Sequence, residues 1–390
     1  MKIGFQIENL DPARGGAETY VYHFARELLA AGHEVHLFAA GFGAAPEGAY
    51  THRIMHRGLT RWGRDLRFAR AAERAARRAN LDVVVAVGRT HGGTVLHPHG
   101  GTLRGSRRQN LLLMRNRLFQ AIKAAFDKVN PRITTHLRIE RHQYRAAPPP
   151  EVVAISRMVQ ADIRKFYGVP DERLHLVYNG VDLDRFCPAA CEAKRAEARE
   201  ALRLADDETC FLIVAHNFKL KGVRELIEAA SRLAKEPHRW RVVVAGKADP
   251  GPYKRLAARL ACADRIQFVG PLPDVVPGYA AADVYLQPTW YDPCSLVVLE
   301  ALACGLPVIT TRFNGAGELM HDGQDGYLVD SPADYDALAQ AMEKLLDADL
   351  RRAMGKAARA AAEAYPLQRN FREMMAVFQK AAARKEALQG

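Results

Sequence analysis

The sequence predicts an α/β protein built from two domains, each containing a parallel sheet flanked by helices. Apolar strand segments at residues 2–7 and 210–215 are each followed by a loop and a helical pattern, so the alternation of strand and helix begins twice. A chain of 390 residues is long enough for two such domains, each with its own core. We expect the first domain to span residues 1–186 and the second to span residues 187–366.

The first domain opens with a turn from strand to helix that suits a ligand. The strand at residues 2–7 leads through a loop into a helix expected over about residues 17–31, with Gly15 and Gly16 at the turn. Glycines let a ligand approach the backbone closely, and the N-terminus of a helix favours negative charge. The glycine pair is therefore a candidate binding element.

Two histidines follow later in this domain. Further strands are expected at Glu34–Ala39 and at residues 81–87, and the segment 96–101 after them contains His97 and His99 on either side of a proline. The two histidines either place polar groups at the ligand-binding edge of the sheet or only hold the loop. A metal site is not expected here, because no third ligand is evident.

Residues 103–145 depart from the alternation of strand and helix and carry much of the positive charge. Apolar side chains recur there at intervals of three and four, which predicts an amphipathic helical stripe. They are Leu111, Met114, Leu118, Phe119, Ile122, Phe126 and Val129. Basic amphipathic helices bind anionic membranes. The alternative is that the stripe packs on the first domain and the arginines are solvated. Nucleic-acid binding is not favoured, because we see neither interleaved aromatic residues nor a known binding module.

The strongest signal of the second domain surrounds Asp292. Val284–Gln287 is predicted to be a buried strand, and residues 295–303 are predicted to be a helix. Asp292 lies between them and Glu300 lies within the helix, at the carboxyl edge of a parallel sheet, where α/β proteins bind ligands. Carboxylates accept hydrogen bonds from the neighbouring hydroxyls of a sugar or a ribose. The alternative is that Asp292 forms a turn and Glu300 is a solvated helix residue.

Two further loops of the second domain carry groups suited to phosphate. The loop at residues 216–222 contains His216, Lys219 and Lys221 and ends in a glycine. A surface lysine is normally only solvated, but a lysine in a glycine-terminated loop at the sheet edge is placed to meet phosphate. The loop at residues 312–318 offers small residues and backbone donors before a short helix.

Together these motifs resemble the retaining glycosyltransferases of family 4, which have the GT-B fold. The resemblance rests on Asp292 and Glu300 with the Ala-Leu-Ala-Cys-Gly-Leu-Pro-Val that follows, on Lys221 and its glycine, and on residues 178–186, which read Tyr-Asn-Gly-Val-Asp-Leu-Asp-Arg-Phe. It covers nearly the whole chain, and the combination of motifs is more specific than any one of them.

The resemblance implies two Rossmann-like domains facing across a cleft, with a C-terminal helix, residues 367–390, that crosses back to the first domain. It implies transfer of a hexose, with retention, from a nucleotide diphosphate sugar such as UDP-glucose or a similar UDP-hexose. The segment at about 103–145 resembles that of lipopolysaccharide core glucosyltransferases, which implies a cell-envelope glycan or glycolipid acceptor. No metal and no cofactor besides the donor substrate are expected.

The resemblance also implies roles for individual residues. Those expected to take part in catalysis are Lys221, Arg185, Asp292 and His99. Those expected to bind the donor are Gly15, Gly16, His97, His216, Lys219, Ser295, Leu296, Glu300, Gly315 and Ala316. Two positions depart from the family pattern. Asp292 stands where Glu is usual, which bears on the choice of sugar, and His216 stands where Arg is usual, so that Lys219 would supply the missing charge.

Composition bears on location and partners. No run of eighteen apolar residues occurs, and the first residues predict a strand rather than a signal peptide. No two of the six cysteines form a Cys-x-x-Cys motif, so we expect all six to be reduced thiols. The net charge of +12 indicates an anionic partner, such as donor phosphates or an acidic lipid surface. We expect a cytoplasmic protein, held peripherally at the inner face of the cell membrane if the basic segment binds lipid.

Two other classes of function share this architecture. A nucleotide-sugar epimerase would need acidic and basic residues to remove and return a sugar proton, and the motif around Asp292 and Glu300 argues against it. A binding protein without catalytic activity would keep the sheets but would not need Lys221, Arg185 and Glu300 together. Incubation with a donor and no acceptor distinguishes the three classes.

Overall fold

The computed structural model describes residues 1–13, 15–114, 116–233 and 238–388. The chain divides into two compact units, the first formed by Met1–Tyr178 with Gln368–Gly390 and the second by Asn179–Leu367. No helix in these described ranges combines the length and the apolar character needed to cross a bilayer.

The boundary expected at residue 186 is wrong, because residues 179–186 belong to the second unit. The Asn179 side-chain amide donates to the carbonyl of Cys294 at 2.9 Å. The Val181 N–H donates to the carbonyl of Tyr365, and the Leu367 N–H donates back to the carbonyl of Val181, each at 3.0 Å. These bonds attach the segment to the second unit.

The first unit alternates strands and helices. Its strands are β1 (Lys2–Gln6), β2 (Asn9–Leu10), β3 (Glu34–Ala39), β4 (Gly41–Phe42), β5 (Tyr50–Arg53), β6 (Val83–Ala86), β7 (Val95–Leu96), β8 (Glu151–Ala154) and β9 (Leu174–Leu176). Its helices up to residue 178 are α1 (Gly16–Ala30), α2 (Arg61–Arg78), α3 (Leu103–Leu112), α4 (Arg117–Val129), α5 (Pro131–Tyr144) and α6 (Arg157–Tyr167).

The second unit repeats the pattern. Its strands are β10 (Thr209–Val214), β11 (Trp240–Ala245), β12 (Ile266–Gly270), β13 (Val284–Gln287), β14 (Val308–Thr311) and β15 (Gly326–Val329). Its helices are α7 (Pro188–Glu192), α8 (Arg195–Ala201), α9 (Val223–Leu233), α10 (Gly251–Arg259), α11 (Val276–Ala281), α12 (Leu296–Ala303), α13 (Tyr335–Lys344) and α14 (Ala348–Glu363). The last helix is α15 (Leu367–Ala387).

Each unit contains one large parallel sheet. The strand order is β5-β3-β1-β6-β7-β8-β9 in the first unit and β12-β11-β10-β13-β14-β15 in the second, while β2 and β4 pair separately. In both sheets the chain starts in the middle, builds outward to one side and then crosses to the other. The reversal falls between β1 and β6 and between β10 and β13, and such switch points are where open α/β sheets bind ligands. The predicted pair of Rossmann-like units is confirmed.

The C-terminal helix α15 completes the core of the first unit. Phe378 on α15 is fully buried and lies edge-on to Phe5 of β1, with ring centroids 6.4 Å apart. Met374 and Val377 join the same core. The prediction that the chain end packs on the first domain is therefore confirmed.

The segment 103–145 forms three helices rather than one continuous stripe. Asn116 caps α4 by accepting from the Leu118 N–H at 2.8 Å, so the predicted stripe is interrupted before α4. No residue of α4 is buried, and five large apolar side chains of this helix are more than half exposed. They are Leu118, Phe119, Ile122, Phe126 and Val129. The alternative in which these side chains pack on the domain is therefore wrong. Arg115, one of the basic residues of this segment, lies outside the described residues.

Residues 187–208, whose charged and alanine-rich sequence is typical of a linker with some helix, are part of the packed second unit. Arg199 on α8 is 5% exposed and donates to the carbonyls of Ala281 and Glu208 at 3.0 and 2.6 Å. Its guanidinium also pairs with Asp283 at 3.2 Å, and Arg195 pairs with the same carboxylate at 2.6 Å. Arg195, Arg199 and Glu208 of this segment are thus paired within the unit, while its other charged residues are exposed. The sequence pattern did not distinguish the two groups.

Candidate active site

The candidate donor site lies at the switch point of the second sheet. The loop after β10 and the loop after β13 both leave the carboxyl ends of neighbouring strands. The Trp290 N–H and the Thr289 hydroxyl both donate to the carbonyl of Leu220, at 2.9 and 3.0 Å. These hydrogen bonds join the two loops into one surface.

A glycine allows the two loops to come together. Gly222 has φ of +81°, and a Cβ atom at this position would lie 2.0 Å from the Pro288 carbonyl oxygen. Any side chain would therefore push the loops apart, in addition to the strain of a left-handed backbone. Lys221, the residue before this glycine, is thereby held beside the loop that contains Asp292.

Lys221 and Asp292 form an ion pair inside this surface. The Gln287 amide donates to the same carboxylate oxygen, Oδ2, at 2.9 Å and lies 3.2 Å from the Ser295 hydroxyl. The Tyr285 hydroxyl donates to the side-chain oxygen Oε1 of Gln287 at 2.9 Å, which orients the side-chain amide. The other oxygen of Asp292, Oδ1, makes no hydrogen bond within the described residues and is available to a ligand.

Gln287 is a site residue that the sequence analysis missed. It is the last residue of β13, fully buried, and its amide connects Asp292 with Ser295. The available signal was a polar residue closing an otherwise apolar strand at the carboxyl edge of the sheet. That signal is weak, because only the loop conformation brings Asp292 back over the strand end.

The N-terminus of α12 presents backbone donors beside this carboxylate. Ser295 occupies the capping position, but its side chain makes no capping hydrogen bond because its hydroxyl contacts Gln287 instead. The N–H groups at the start of α12, including that of Leu296, are therefore not capped by a side chain. An uncapped helix N-terminus carries partial positive charge and suits phosphate.

The loop at 312–318 has a different role from the one expected. The Gly315 N–H donates to the backbone carbonyl of Asp292 at 2.8 Å, and the Ala316 N–H donates to the Asn314 side chain at 3.1 Å. Both donors proposed for a phosphate are thus engaged within the protein. The loop holds Asp292 in place, and a donor contact at Gly315 or Ala316 would have to use other atoms.

Glu300 lies half-buried on α12, where the Tyr279 hydroxyl donates to its Oε2 at 2.8 Å. Burial raises the pKa of Glu300, while the Tyr279 hydrogen bond and the charge of Arg185 oppose that rise. Oε1 of Glu300 makes no hydrogen bond within the described chain. The Arg185 guanidinium lies 5.0 Å from the ring centroid of Phe186 and pairs with Asp274 at 3.0 Å. Glu300 thus keeps one carboxylate oxygen for a ligand.

Two predicted donor residues stand at the solvent edge of the same unit. His216 and Lys219 are both exposed, in the loop that also carries Lys221. Their predicted contacts with the donor diphosphate stay predictions, as do the roles assigned to the other site residues.

The first unit has a cavity of about 430 Å³ at its own switch point. Its wall includes Glu18 of α1, Gly88 and Arg89 after β6, and Glu140 of α5. Glu140 is buried, accepts from the Leu103 N–H at 2.6 Å and accepts from the Tyr167 hydroxyl. Burial raises the pKa of Glu140. The cavity therefore presents carboxylates and a guanidinium, groups that can bind hydroxyls.

The predicted residues of the first unit are not among those that line this cavity, although neighbours of theirs in the sequence, such as Ala17 and Pro98, are. Gly16 is the first residue of α1, and Gly15 precedes it in an extended conformation. His97 is fully buried, with neither ring nitrogen hydrogen-bonded, and contacts the rings of Tyr20 and His99 at 5.1 and 4.7 Å. Burial lowers the pKa of His97 well below its usual value, so its ring is neutral. Both imidazoles pack on Tyr20, so a ligand would reach His97 only after a local rearrangement.

Comparison with known proteins is consistent with this arrangement. The family model described as Glycosyltransferase Family 4 matches residues 14–185, and the one described as Glycosyl transferases group 1 matches residues 194–361. A D-inositol 3-phosphate glycosyltransferase of Catenulispora acidiphila is 37% identical over 214 residues, which are 51% of this chain and 48% of that protein. The lipopolysaccharide glucosyltransferase WaaG of Escherichia coli is 26% identical over 61% of this chain and 64% of that protein. The matched region thus spans about half the length of the first curated relatives.

Solved structures share the fold over the whole chain. The WaaG crystal structure superposes with a TM-score of 0.81 at 23% identity, covering 97% of this chain and 98% of that one. Anabaena HepE in complex with UDP and glucose gives a TM-score of 0.72 at 18% identity, covering 97% and 99%. Two family models, one on each unit, and this common fold lead to one assignment: the chain belongs to the GT-B glycosyltransferases of family 4, group 1.

Proposed function

We propose that this protein is a retaining glycosyltransferase that moves a hexose from UDP-glucose or a similar UDP-hexose to a cell-envelope glycan or glycolipid, such as lipopolysaccharide core. The family supports the reaction class. The donor is supported by the HepE structure with UDP-glucose, and the acceptor class by the name of WaaG. Both are carried over as proposals, because these relatives are under 30% identical to this chain.

The observation that carries the proposal is the pairing of Lys221 with Asp292 beside the uncapped N-terminus of α12. Breaking the anomeric C–O bond leaves negative charge on the departing diphosphate, and stabilising it is the main catalytic task. Lys221 would release Asp292 and pair with that diphosphate, together with the N–H groups of α12. Arg185 would add a second side-chain cation, so these groups can carry the charge without a metal ion.

The free carboxylate oxygens have distinct proposed roles. Oδ1 of Asp292 would accept from hydroxyls of the transferred sugar, and Oε1 of Glu300 would accept from the ribose. Retention follows if the acceptor oxygen attacks from the face that the leaving group vacates. The bond from the anomeric carbon to the phosphate oxygen breaks, the bond to the acceptor oxygen forms on the same face, and the acceptor proton passes to the departing phosphate.

We place the acceptor in the cavity of the first unit. Glu18, Arg89 and Glu140 provide groups that can bind sugar hydroxyls or an acceptor phosphate. His99, predicted to act in catalysis, and Gly15 and Gly16 lie in this same unit. Their proposed contacts are with the reacting sugar and the acceptor.

We also propose that α4 docks on an anionic bilayer at the inner face of the cell membrane. Its five exposed apolar side chains include Phe119 and Phe126, and Arg117, Lys123 and Lys128 lie on the same helix. Apolar side chains flanked by cations suit insertion among acidic headgroups. An acceptor carried by a lipid would then be held near the enzyme.

The proposal is tested by thermal shift of the full chain with UDP, GDP, ADP and their hexose conjugates, followed by product analysis with and without an acceptor. A ligand that binds only the native state raises the melting temperature. We expect UDP and UDP-hexoses to stabilise the protein, and Lys221→Ala to abolish the shift. Lys254→Ala is the control, because Lys254 is an exposed lysine on α10 of the same unit.

The outcomes separate the three classes. Glycoside formation with the configuration of the donor supports a retaining transferase. Interconversion of the donor sugar without acceptor would indicate an epimerase, and binding without any conversion would indicate a binding protein. A larger shift with GDP or ADP compounds would overturn the proposed donor but not the reaction class.

A further inference from the structure

Three side chains of metal-binding type meet in the first unit, outside the residues considered so far. Glu73 lies on α2, His91 lies in the loop between β6 and β7, and His142 lies in the last turn of α5. One ligand atom from each lies within 4.8 Å of the others. The three come from distant parts of the sequence, so the spacing along the chain does not reveal them.

The two imidazoles lie next to each other without a competing hydrogen-bond partner. Their ring centroids are 4.3 Å apart with the planes inclined by 41°, and neither ring makes a hydrogen bond or ion pair with any described residue. His91 is buried, whereas His142 is exposed. A neutral imidazole offers the lone pair of one ring nitrogen to a metal.

The backbone holds this loop against both helices. The His91 N–H donates to the carbonyl of Ala69 on α2 at 3.3 Å, and the Gln143 side chain on α5 donates to the carbonyl of Gly88 at 3.0 Å. Gly92 has φ of +66°, and a Cβ there would lie 2.8 Å from Cγ of Glu73. The absence of that side chain leaves Glu73 room beside the histidines.

We propose that Glu73, His91 and His142 bind one zinc ion. Two histidines and one carboxylate are a known zinc ligand set, completed by a water molecule. Zinc–ligand bonds of about 2.1 Å at tetrahedral angles place ligand atoms roughly 3.4 Å apart. The present separations of up to 4.8 Å close to that distance when the exposed His142 and the partly exposed Glu73 change rotamer.

A cation already contacts the carboxylate of this cluster. Arg77 pairs with Oε1 of Glu73 at 2.7 Å, but the Arg77 side chain is 76% exposed. An exposed ion pair of this kind contributes little to the free energy of folding. Zinc can therefore displace Arg77 from the carboxylate with little loss of stability. Bound zinc ties the loop between β6 and β7 to α2 and α5. That loop also supplies Gly88 and Arg89 to the cavity of the first unit, so the metal orders one wall of the cavity.

The test uses the untagged full chain, treated with a chelator, exchanged into metal-free buffer and titrated with Zn²⁺ against a chromophoric chelator. We expect one equivalent of zinc per chain and an increase in melting temperature. His142→Ala removes an exposed side chain, and Glu73→Gln keeps the size of a partly exposed one. Each should weaken zinc binding at least about 100-fold, the upper range for loss of an outer-shell partner. His56→Ala removes an imidazole of the same unit and should bind like the wild type.

Co²⁺ gives a second readout that is independent of stability. Tetrahedral Co²⁺ in the wild type should show visible absorption that the His142→Ala and Glu73→Gln variants lack. The proposal is overturned if the wild type takes up less than one equivalent at micromolar zinc. It is also overturned if the His142→Ala and Glu73→Gln variants still bind one equivalent of zinc. His91→Ala, at a buried position, is expected to lose the metal as well, and circular dichroism reports whether that variant folds.

Discussion

The Lys221 ammonium and the Gln287 amide both donate to Oδ2 of Asp292, which leaves Oδ1 without a hydrogen bond within the described residues. Asp292 is fixed further by its backbone, because its N–H donates to the carbonyl of Phe313 and its carbonyl accepts from the Gly315 N–H. A carboxylate held at so many points is pre-organised. The Asp292 side chain is one methylene shorter than the Glu that the family usually has at this position, and this length therefore sets where Oδ1 lies.

Asp292→Glu should change the donor preference more than nucleotide binding. The added methylene moves the free oxygen by about 1.5 Å, the length of one C–C bond, at a residue that is only 6% exposed. We expect the ratio of kcat/KM between two UDP-hexoses to change at least about tenfold, equivalent to one good hydrogen bond. The thermal shift with UDP alone should remain. An unchanged ratio would show that Asp292 does not contact the sugar.

Glu300 should make nucleotide binding depend on pH. Burial raises its pKa, so on acidification it takes up a proton at a higher pH than an ordinary glutamate, and the neutral acid accepts ribose hydroxyls less well. We expect the affinity for UDP to fall as the pH is lowered through this raised pKa. Because UDP itself titrates, the quantity to compare is the affinity ratio of the wild type to Glu300→Gln. That ratio should decrease on acidification, and a constant ratio contradicts the role.

Gly222→Ala should destabilise the second unit strongly. The left-handed backbone costs about 1–2 kcal/mol for a residue with a side chain, and contact with the Pro288 carbonyl at 2.0 Å adds to it. We expect a loss of more than about 3 kcal/mol in unfolding free energy by urea titration. Gly168→Ala is the matched control, since its φ is +63° but its Cβ would meet open space. Equal losses in the two variants would mean that the loops relax freely.

Ile122→Ser combined with Phe126→Ser should weaken binding to vesicles of phosphatidylglycerol and phosphatidylcholine. Each exposed side chain that inserts contributes about 1.5–3 kcal/mol, so we expect at least a tenfold loss in sedimentation assays, with the melting temperature unchanged. Leu59→Ser is the control, because Leu59 is a fully exposed apolar residue outside α4.

Charge should contribute to the same binding. Neutralising Arg104, Arg107, Arg108, Arg115 and Arg117 together is expected to reduce affinity for anionic vesicles, and pure phosphatidylcholine should bind weakly. Binding that survives the neutralisation, or that does not depend on α4, would eliminate the membrane proposal.

Arg199→Met should lower the stability of the second unit by about 3–5 kcal/mol, because it leaves Asp283 with less of its pairing and two buried carbonyls without donors. Arg239→Met is the control. Arg239 pairs with Asp207, but both side chains are at least 60% exposed, so the loss should stay within about 1 kcal/mol. The measurement is urea unfolding of both variants, and similar losses would contradict the assignment of a buried network.

Sequence patterns were most reliable where burial is continuous along the chain. The predicted bounds of β3 and β13 agree with the structure, because both strands are unbroken apolar or buried runs. The sequence pattern was misleading at residues 187–208, where Arg199 is buried against two carbonyls and Asp283. The predicted continuous stripe is wrong at α3 and α4, because α3 ends at Leu112 and Asn116 caps a separate helix.

The two parallel-sheet units and the motifs with Lys221, Asp292 and Glu300 could be predicted from the sequence, because they depend on local periodicity and on short spacings. The packing of the C-terminal helix followed from the family resemblance. Which atoms remain free depends on the folded chain. Gln287 meets Asp292 because a loop folds back, the N–H groups of Gly315 and Ala316 are consumed internally, and Glu73 approaches His91 and His142 because α2 packs on α5. Hydrogen-bond partners between distant segments depend on the path of the folded chain, and linear spacing does not contain that information.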